Sequence, residues 1–176
     1  MNKKLSLLAV SVAMVLVGCN SSDDTNNQQT HTLTAIDGFL HKAEVWIDKD
    51  GDYALDKSKD IRVTELTDEK GQVVIAEEHK NKAVFVRAIK DQTIDTSRGL
   101  VEKDFGLAAT AGSTVANPMT NLVVKMLESD DSLSESDAKQ AVVTAVTSSG
   151  SNSGLVVSEE LIFGDYISDT SQEADA

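Results

Sequence analysis

Aspartates stand at 48, 50, 52 and 56 in the run Asp48-Lys49-Asp50-Gly51-Asp52-Tyr53-Ala54-Leu55-Asp56, which are positions 1, 3, 5 and 9 of a short loop. Calcium is a hard cation that takes six to eight oxygens, and carboxylates at alternate positions wrap a loop around one ion. Ala54, at position 7, would add its backbone carbonyl. The expected ligand set is therefore Asp48, Asp50, Asp52, the carbonyl of Ala54, and Asp56. The bland alternative is a solvated acidic turn. Two features weaken the site. Position 6 calls for positive φ and is Tyr53, a strained choice for a bulky side chain. Position 12 is Lys59, where a bidentate glutamate would close the coordination sphere, and Asp60 lies one residue beyond. Both push the expected affinity toward the weak extracellular range of about 10⁻⁴–10⁻³ M.

Elsewhere the sequence offers little chemistry. His31, His41 and His79 have no second histidine at a ligand spacing, which argues against zinc. Gly150-Ser151-Asn152-Ser153-Gly154 has the outline of a nucleophile elbow, but its centre is Asn152. No glycine-rich phosphate cradle occurs. Among 29 acids a carboxylate pair can always be nominated for glycoside hydrolysis, and nothing singles one out. The expectation is a protein without catalysis, an unrecognised carboxylate site being the weaker alternative. Trp46 is the single tryptophan and alternates out of phase with Val45 and Ile47. On the outer sheet face it would be a ligand face, stacking on a sugar or anchoring a partner. The preferred placement is beneath helices, and the Met119 and Met126 stripe is likewise read as core.

These residues need elements to hold them. From Thr32 to about Ala109 the pattern is β. Val45 and Ile47 alternate with Glu44, Trp46 and Asp48. Ile61 to Leu66 is rich in β-branched residues, Thr67-Asp68-Glu69-Lys70-Gly71 reads as a turn, and Gln72 to Ala76 returns, so a hairpin is expected. Ala83 to Ile89 is nearly continuous apolar, interrupted by Arg87, and suits a central strand of a sandwich. A last strand is placed within Leu100 to Ala109. After Gly112 the period changes. Asn117 is a good N-cap and Pro118 a good first residue for a helix whose apolar face is Met119, Leu122, Val123, Met126 and Leu127. A second helix begins at Ser134, with Asp137 in a capping position and a face of Ala138, Ala141, Val142, Ala145 and Val146. Ser129 to Leu133 would join the two as a helix hairpin. Ser149 to Gly154 reads as a linker, and a short helix follows from Ser158. The fold class expected is α+β: a small Ig-like or prealbumin-like β-sandwich over 31–110, a helical region over 111–167, and an acidic tail over 168–176 that is expected to be disordered.

The N-terminus carries a different signal. Lys3 and Lys4 precede an apolar run from Leu5 to Val17, too short for a bilayer span of about 20 residues, and the run ends Leu16-Val17-Gly18-Cys19. That ending resembles the bacterial lipobox. The resemblance implies removal of 1–18 as a lipoprotein signal peptide, palmitate-type acylation of Cys19, and attachment to the membrane through the acyl chains. Asn20 in the second mature position favours the outer membrane, on either its periplasmic or its cell-surface face. Residues 19–30 are expected to form a flexible tether. Cys19 is the only cysteine, so no disulfide is available. A net charge of −13 argues against nucleic acid and against an anionic lipid surface as partner of the folded part.

The order Asp37-Gly38-Phe39, Val45-Trp46-Ile47-Asp48, acidic loop and Asp68-Glu69-Lys70-Gly71 resembles the calcium-binding B-repeat-type, prealbumin-like (carboxypeptidase-regulatory-like) modules of bacterial surface proteins. Ala111 to Val115 with Asn117 to Val123 resembles a segment of such proteins in marine Gram-negative bacteria. The resemblance spans about 36–127 and rests on short motifs. It implies a non-catalytic extracellular interaction or adhesion-like module, with a protein or glycan partner, in which calcium rigidifies a loop. The alternative is a carbohydrate-binding or envelope accessory protein using Trp46.

Overall fold

Period-two alternation at 44–47 and the apolar run at 84–88 form the centre of a four-stranded sheet in the computed structural model, which describes residues 30–150 and 158–168. Its strands are β3 (Glu44–Ile47), β4 (Ile61–Arg62), β6 (Val84–Ala88) and β9 (Phe105–Ala109), in the order β4-β3-β6-β9 and all antiparallel. A second sheet has β1 (Thr30–Ala35) between β5 (Gln72–Ala76) and β10 (Val115–Ala116), the last pair being parallel. A third, small sheet joins β2 (Leu40–His41), β7 (Ile94–Asp95) and β8 (Gly99–Leu100). Three helices follow in the described chain: α1 (Pro118–Ser129), α2 (Glu135–Gly150) and α3 (Glu159–Phe163). The architecture is α+β.

The period of two divides the four-stranded sheet between two environments. Val45, Ile47, Val84, Val86, Leu107 and Ala109 face inward and share one core with Leu33, Val73 and Ile75 from the other large sheet. Trp46, Phe85 and Ala108 point the other way and meet Val124 of α1. With both faces covered, the central strand β6 reads as a nearly continuous apolar run, as strands in doubly covered sheets do. Each large side chain buried this way contributes about 1.5–3 kcal/mol.

The expected hairpin between 61–66 and 72–76 does not form. The turn itself does: Gly71 N–H reaches Asp68 O at 3.0 Å with Gly71 at φ 69°. A Cβ on Gly71 would lie 2.5 Å from the Ala35 carbonyl oxygen, so the close approach as well as the φ calls for glycine. The strand leaving the turn, β5, pairs with β1 and not with the strand entering it. The ladder of β4 is only two residues long, and both are exposed. Beyond it the chain runs beside 40–45 through single bonds, Val63 N–H to Val45 O at 2.9 Å and Lys42 N–H to Thr67 O at 2.9 Å. Buried Thr67 fixes this crossing, accepting from Ala43 N–H and donating to Leu40 O. Local β-propensity pointed to a strand there, but pairing decides strands, and the partner lay elsewhere in the chain.

The helices begin as expected. Asn117 Oδ1 accepts from the N–H groups of Met119 and Thr120, both at 2.9 Å, and Thr120 Oγ1 accepts from Asn117 N–H. Ser134 Oγ accepts from Asp137 N–H at 3.1 Å, and Ser158 Oγ from Leu161 N–H at 3.1 Å. The buried face of α1 is rotated from the expected one. Thr120, Val123, Val124 and Leu127 are buried, Met119 and Met126 partly so, and Leu122 is 49 % exposed. The cause is that α1 packs on the sheet through Val124 and on α2 and α3 through Val123 and Leu127. In α2, Ala138 and Val142 are buried and Val146 partly so, while Ala141 and Ala145 are exposed. The helix continues to Gly150, into the segment expected to be linker. Strand β10 lies inside the region expected to be helical, so the 110/111 boundary does not separate strands from helices.

Candidate functional site

The strand β3 delivers Asp48 to the edge of the core, where the chain leaves the ladder and turns back on itself. Asp48 is only 1 % exposed. Its Oδ1 accepts from Gly51 N–H at 2.6 Å and its Oδ2 from Tyr53 N–H at 3.0 Å, which folds the loop around the carboxylate. Gly51 and Tyr53 both take positive φ, 80° and 58°. Tyr53 thus adopts the left-handed conformation that position 6 of such a loop requires, despite its side chain. The strain is offset by packing, because the Tyr53 ring is partly buried against both Trp46 and Val124 on one side and the α1–α2 cluster on the other.

The carboxylates brought together are Asp48, Asp50 and Asp60, each offering an oxygen with all three within 4.8 Å of one another. Asp60 is 8 % exposed and binds the loop from its far end, accepting from Lys49 N–H at 3.0 Å and Asp56 N–H at 2.8 Å. Of the five sequence-proposed ligands, Asp48 and Asp50 are in this group. Asp52 and Asp56 are not, and Ala54, proposed through its backbone carbonyl, has no side-chain oxygen to bring. Asp52 accepts from Ala54 N–H at 2.9 Å, and Asp56 caps the next turn, accepting from the Ser58 N–H and hydroxyl. That turn, closed by Lys59 N–H and Asp60 N–H on Asp56 O, carries Asp60 into the slot. Spacing placed Asp60 one residue past the expected closing position; the turn at 57–59 is what the fixed spacing leaves out.

Charge is distributed unevenly across the loop. Lys59 Nζ lies 3.2 Å from Asp50, 3.5 Å from Asp56 and 4.0 Å from Asp52. Hydrogen bonding and then charge from Asp50, reinforced by Asp56, hold the Lys59 ammonium above the ordinary lysine range. The Ser58 hydroxyl and amide, with Lys59, hold Asp56 below the ordinary carboxylate range. Among the described residues, neither Asp48 nor Asp60 has a salt-bridge partner. Three oxygen-donor carboxylates in this arrangement suit a hard cation such as calcium, and leave room in its shell for backbone oxygens and water.

Trp46 is not on an open ligand face. The ring is 8 % exposed, packed with Phe85, Ala108 and Val124. Its Nε1 donates to Glu44 at 3.3 Å, and Lys57 Nζ stands 5.6 Å from its ring centroid. Trp46 thus lies beneath α1, the placement preferred from the sequence, and the alternative of an open sugar-stacking face is the reading that falls. Cys19, the signal segment, the expected 19–30 tether up to residue 29 and the expected 168–176 tail from residue 169 lie outside the described residues, as does most of the expected 149–154 linker, while Thr30 opens β1 instead of ending the tether. No helix among the described residues is long and apolar enough to cross a membrane.

No protein-family model matches the chain, and comparison with curated proteins and with solved structures finds no match.

Proposed function

We propose that this chain is a lipid-anchored cell-envelope module, non-catalytic, in which one calcium ion fixes the 48–60 loop of a small Ig-like or prealbumin-like sandwich for interaction with a protein or glycan partner. The observation that carries this reading is the pair Asp48 and Asp60: two buried carboxylates beside Asp50, neither with a salt-bridge partner among the described residues, Lys59 being paired with Asp50 instead. Buried charges are ordinarily paired or bound to metal, because removing them from water costs several kcal/mol otherwise. The loop is entered from a strand, and its first carboxylate ties down the residue at position 6, which fits a loop that a metal completes. In this reading Asp48, Asp50 and Asp60 hold the ion, and calcium supplies the positive charge that lets the loop stay closed. The lipobox-like Leu16-Val17-Gly18-Cys19 ending supports the anchor, at the outer membrane.

Thermal unfolding of the full chain in millimolar calcium and in chelator tests the metal. At about tenfold excess over Kd, binding to the native state alone contributes about 1.4 kcal/mol, and the melting temperature rises accordingly. Equal melting in both conditions would reduce the loop to an acidic turn. Incorporation of labelled palmitate that is lost in Cys19→Ala tests the anchor separately.

A further inference from the structure

On the outer face of the four-stranded sheet, one cross-strand row runs Glu44, Arg87, Gly106. Its neighbour, Trp46, Phe85 and Ala108, is covered by α1 and by Tyr53 and Leu55 of the acidic loop. The first row is not covered in this way. Because Gly106 has no side chain, the row ends in a notch beside α1, a cleft of about 330 Å³. Leu55 and Phe85 are its apolar walls, and Arg87, Asn121 and Lys125 its polar rim. The Asn121 side-chain amide makes no hydrogen bond among the described residues, its backbone N–H donating to Asn117 O at 3.0 Å.

The rim is the exception in a chain of net charge −13. Three cations, Lys57, Arg62 and Arg87, surround Glu44 at 3.9, 3.3 and 3.2 Å. Arg87 also reaches Asp104 at 3.5 Å; Lys57 and Arg62 lie outside the cleft, whose charged lining is Arg87 and Lys125 against the single carboxylate of Asp104. Asp104, which also lines the cleft, spends its other oxygen on Lys90 N–H at 2.7 Å. Glu44 and Asp104 thereby hold the Arg87 fork in place while leaving guanidinium N–H groups unassigned. Lys125 is paired only with Glu128, one turn along an exposed helix surface, and such pairs are weak enough to be exchanged.

We propose that this cleft binds a small organic carboxylate with a flat apolar body. Arg87 and Lys125 receive the carboxylate, the Asn121 amide hydrogen-bonds to it, and the apolar body lies over Gly106 between Leu55 and Phe85. The site stands apart from the calcium reading, since none of its polar groups belongs to the metal cluster.

Titration of the ¹⁵N-labelled full chain with benzoate tests the site, with benzamide as its neutral counterpart and glucuronate as a carboxylate without an apolar face. The expected result is saturable movement of the Gly106 and Asn121 amide signals with a Kd of about 1 mM or below for benzoate. Benzamide and glucuronate should each bind at least about tenfold more weakly. Gly106→Val fills the floor. A Cβ there meets only the Val86 carbonyl oxygen at 3.5 Å, an ordinary contact, so the variant should fold and melt like the parent while losing benzoate. Lys125→Gln should narrow the gap between benzoate and benzamide. Absence of saturable movement, equal binding of benzamide, tighter binding of glucuronate, or undiminished binding by folded Gly106→Val would each overturn the proposal.

Discussion

The ammonium of Lys59 stands among Asp50, Asp52 and Asp56, a position that a bound cation would contest. Lys59→Met should therefore act in opposite directions with and without metal. The apo loop loses its internal counter-charge, and calcium binds severalfold more tightly because no ammonium has to be displaced; unchanged affinity in a calorimetric titration would remove Lys59 from the site. The same residues set a pH window. Asp56, whose pKa is depressed in the fold, contributes stability that is complete above about pH 4 and lost as pH falls through its lowered value. Lys59, whose pKa is raised, contributes stability complete below about pH 10.4 and lost as pH rises through its raised value. Loop amide shifts in chelator should be flat across the neutral range and move at both ends.

Which aspartates matter is also decided residue by residue. Asp48→Asn and Asp60→Asn should each abolish the calcium-dependent rise in melting temperature, whereas Asp56→Asn should leave most of it. The reverse order would restore the ligand set expected from spacing alone. The acidic run was legible in the sequence because alternate carboxylates are a local pattern. Asp60 was not, because its arrival depends on a turn that the fixed spacing does not contain. Tyr53 was legible as the residue that must take positive φ, but not its reward, which is contact with side chains from β3, β6 and α1.

Among the elements, α1 is where local signals and tertiary demands agree best. Asn117 is fully buried and does more than cap: its Nδ2 donates to Ile162 O at 3.1 Å and to Gly164 O at 3.3 Å, so it joins the start of α1 to the end of α3. Asn117→Ala removes the cap, worth about 1–2 kcal/mol, and leaves buried carbonyls without a donor, at about 1–3 kcal/mol more. Chemical denaturation should show a loss of at least about 2 kcal/mol, and Asn117→Asp should recover only the cap. The capping residues are readable because they answer to the backbone of their own helix. The rotated face of α1 is not, since Val124 is buried by a sheet whose position no local periodicity records. The two-residue β4 and the short β2, β7, β8 and β10 are illegible for a related reason: each is defined by its partner, not by its own pattern.

At the scale of the molecule, two sheets share one core, α1 closes over the far face of the larger sheet, and α2 and α3 pack on α1. The change from period two to helical period announced this division well, and β6 was apparent as a central strand from its composition, though not its cover by α1 on the second face. Pairing was not: β5 joins β1 across a separation of some forty residues, and β10 returns to β1 in parallel after nearly the whole sheet has formed. Long-range pairing leaves no trace in the two strands taken singly.

The acidic loop, the helices and the sheet meet around one indole. Lys57, from the turn that closes the loop, lies 5.6 Å from the centroid of the Trp46 ring, and Tyr53 and Leu55 pack on the same cluster. A charge held beside an indole changes its emission, so the only tryptophan in the chain is a natural optical gauge of the loop. Its fluorescence should shift on calcium addition, stay unchanged in Asp48→Asn, and follow the melting curve of the whole fold. With no dye attached, a single spectrum would then read both the occupancy of the loop and the integrity of the protein that carries it.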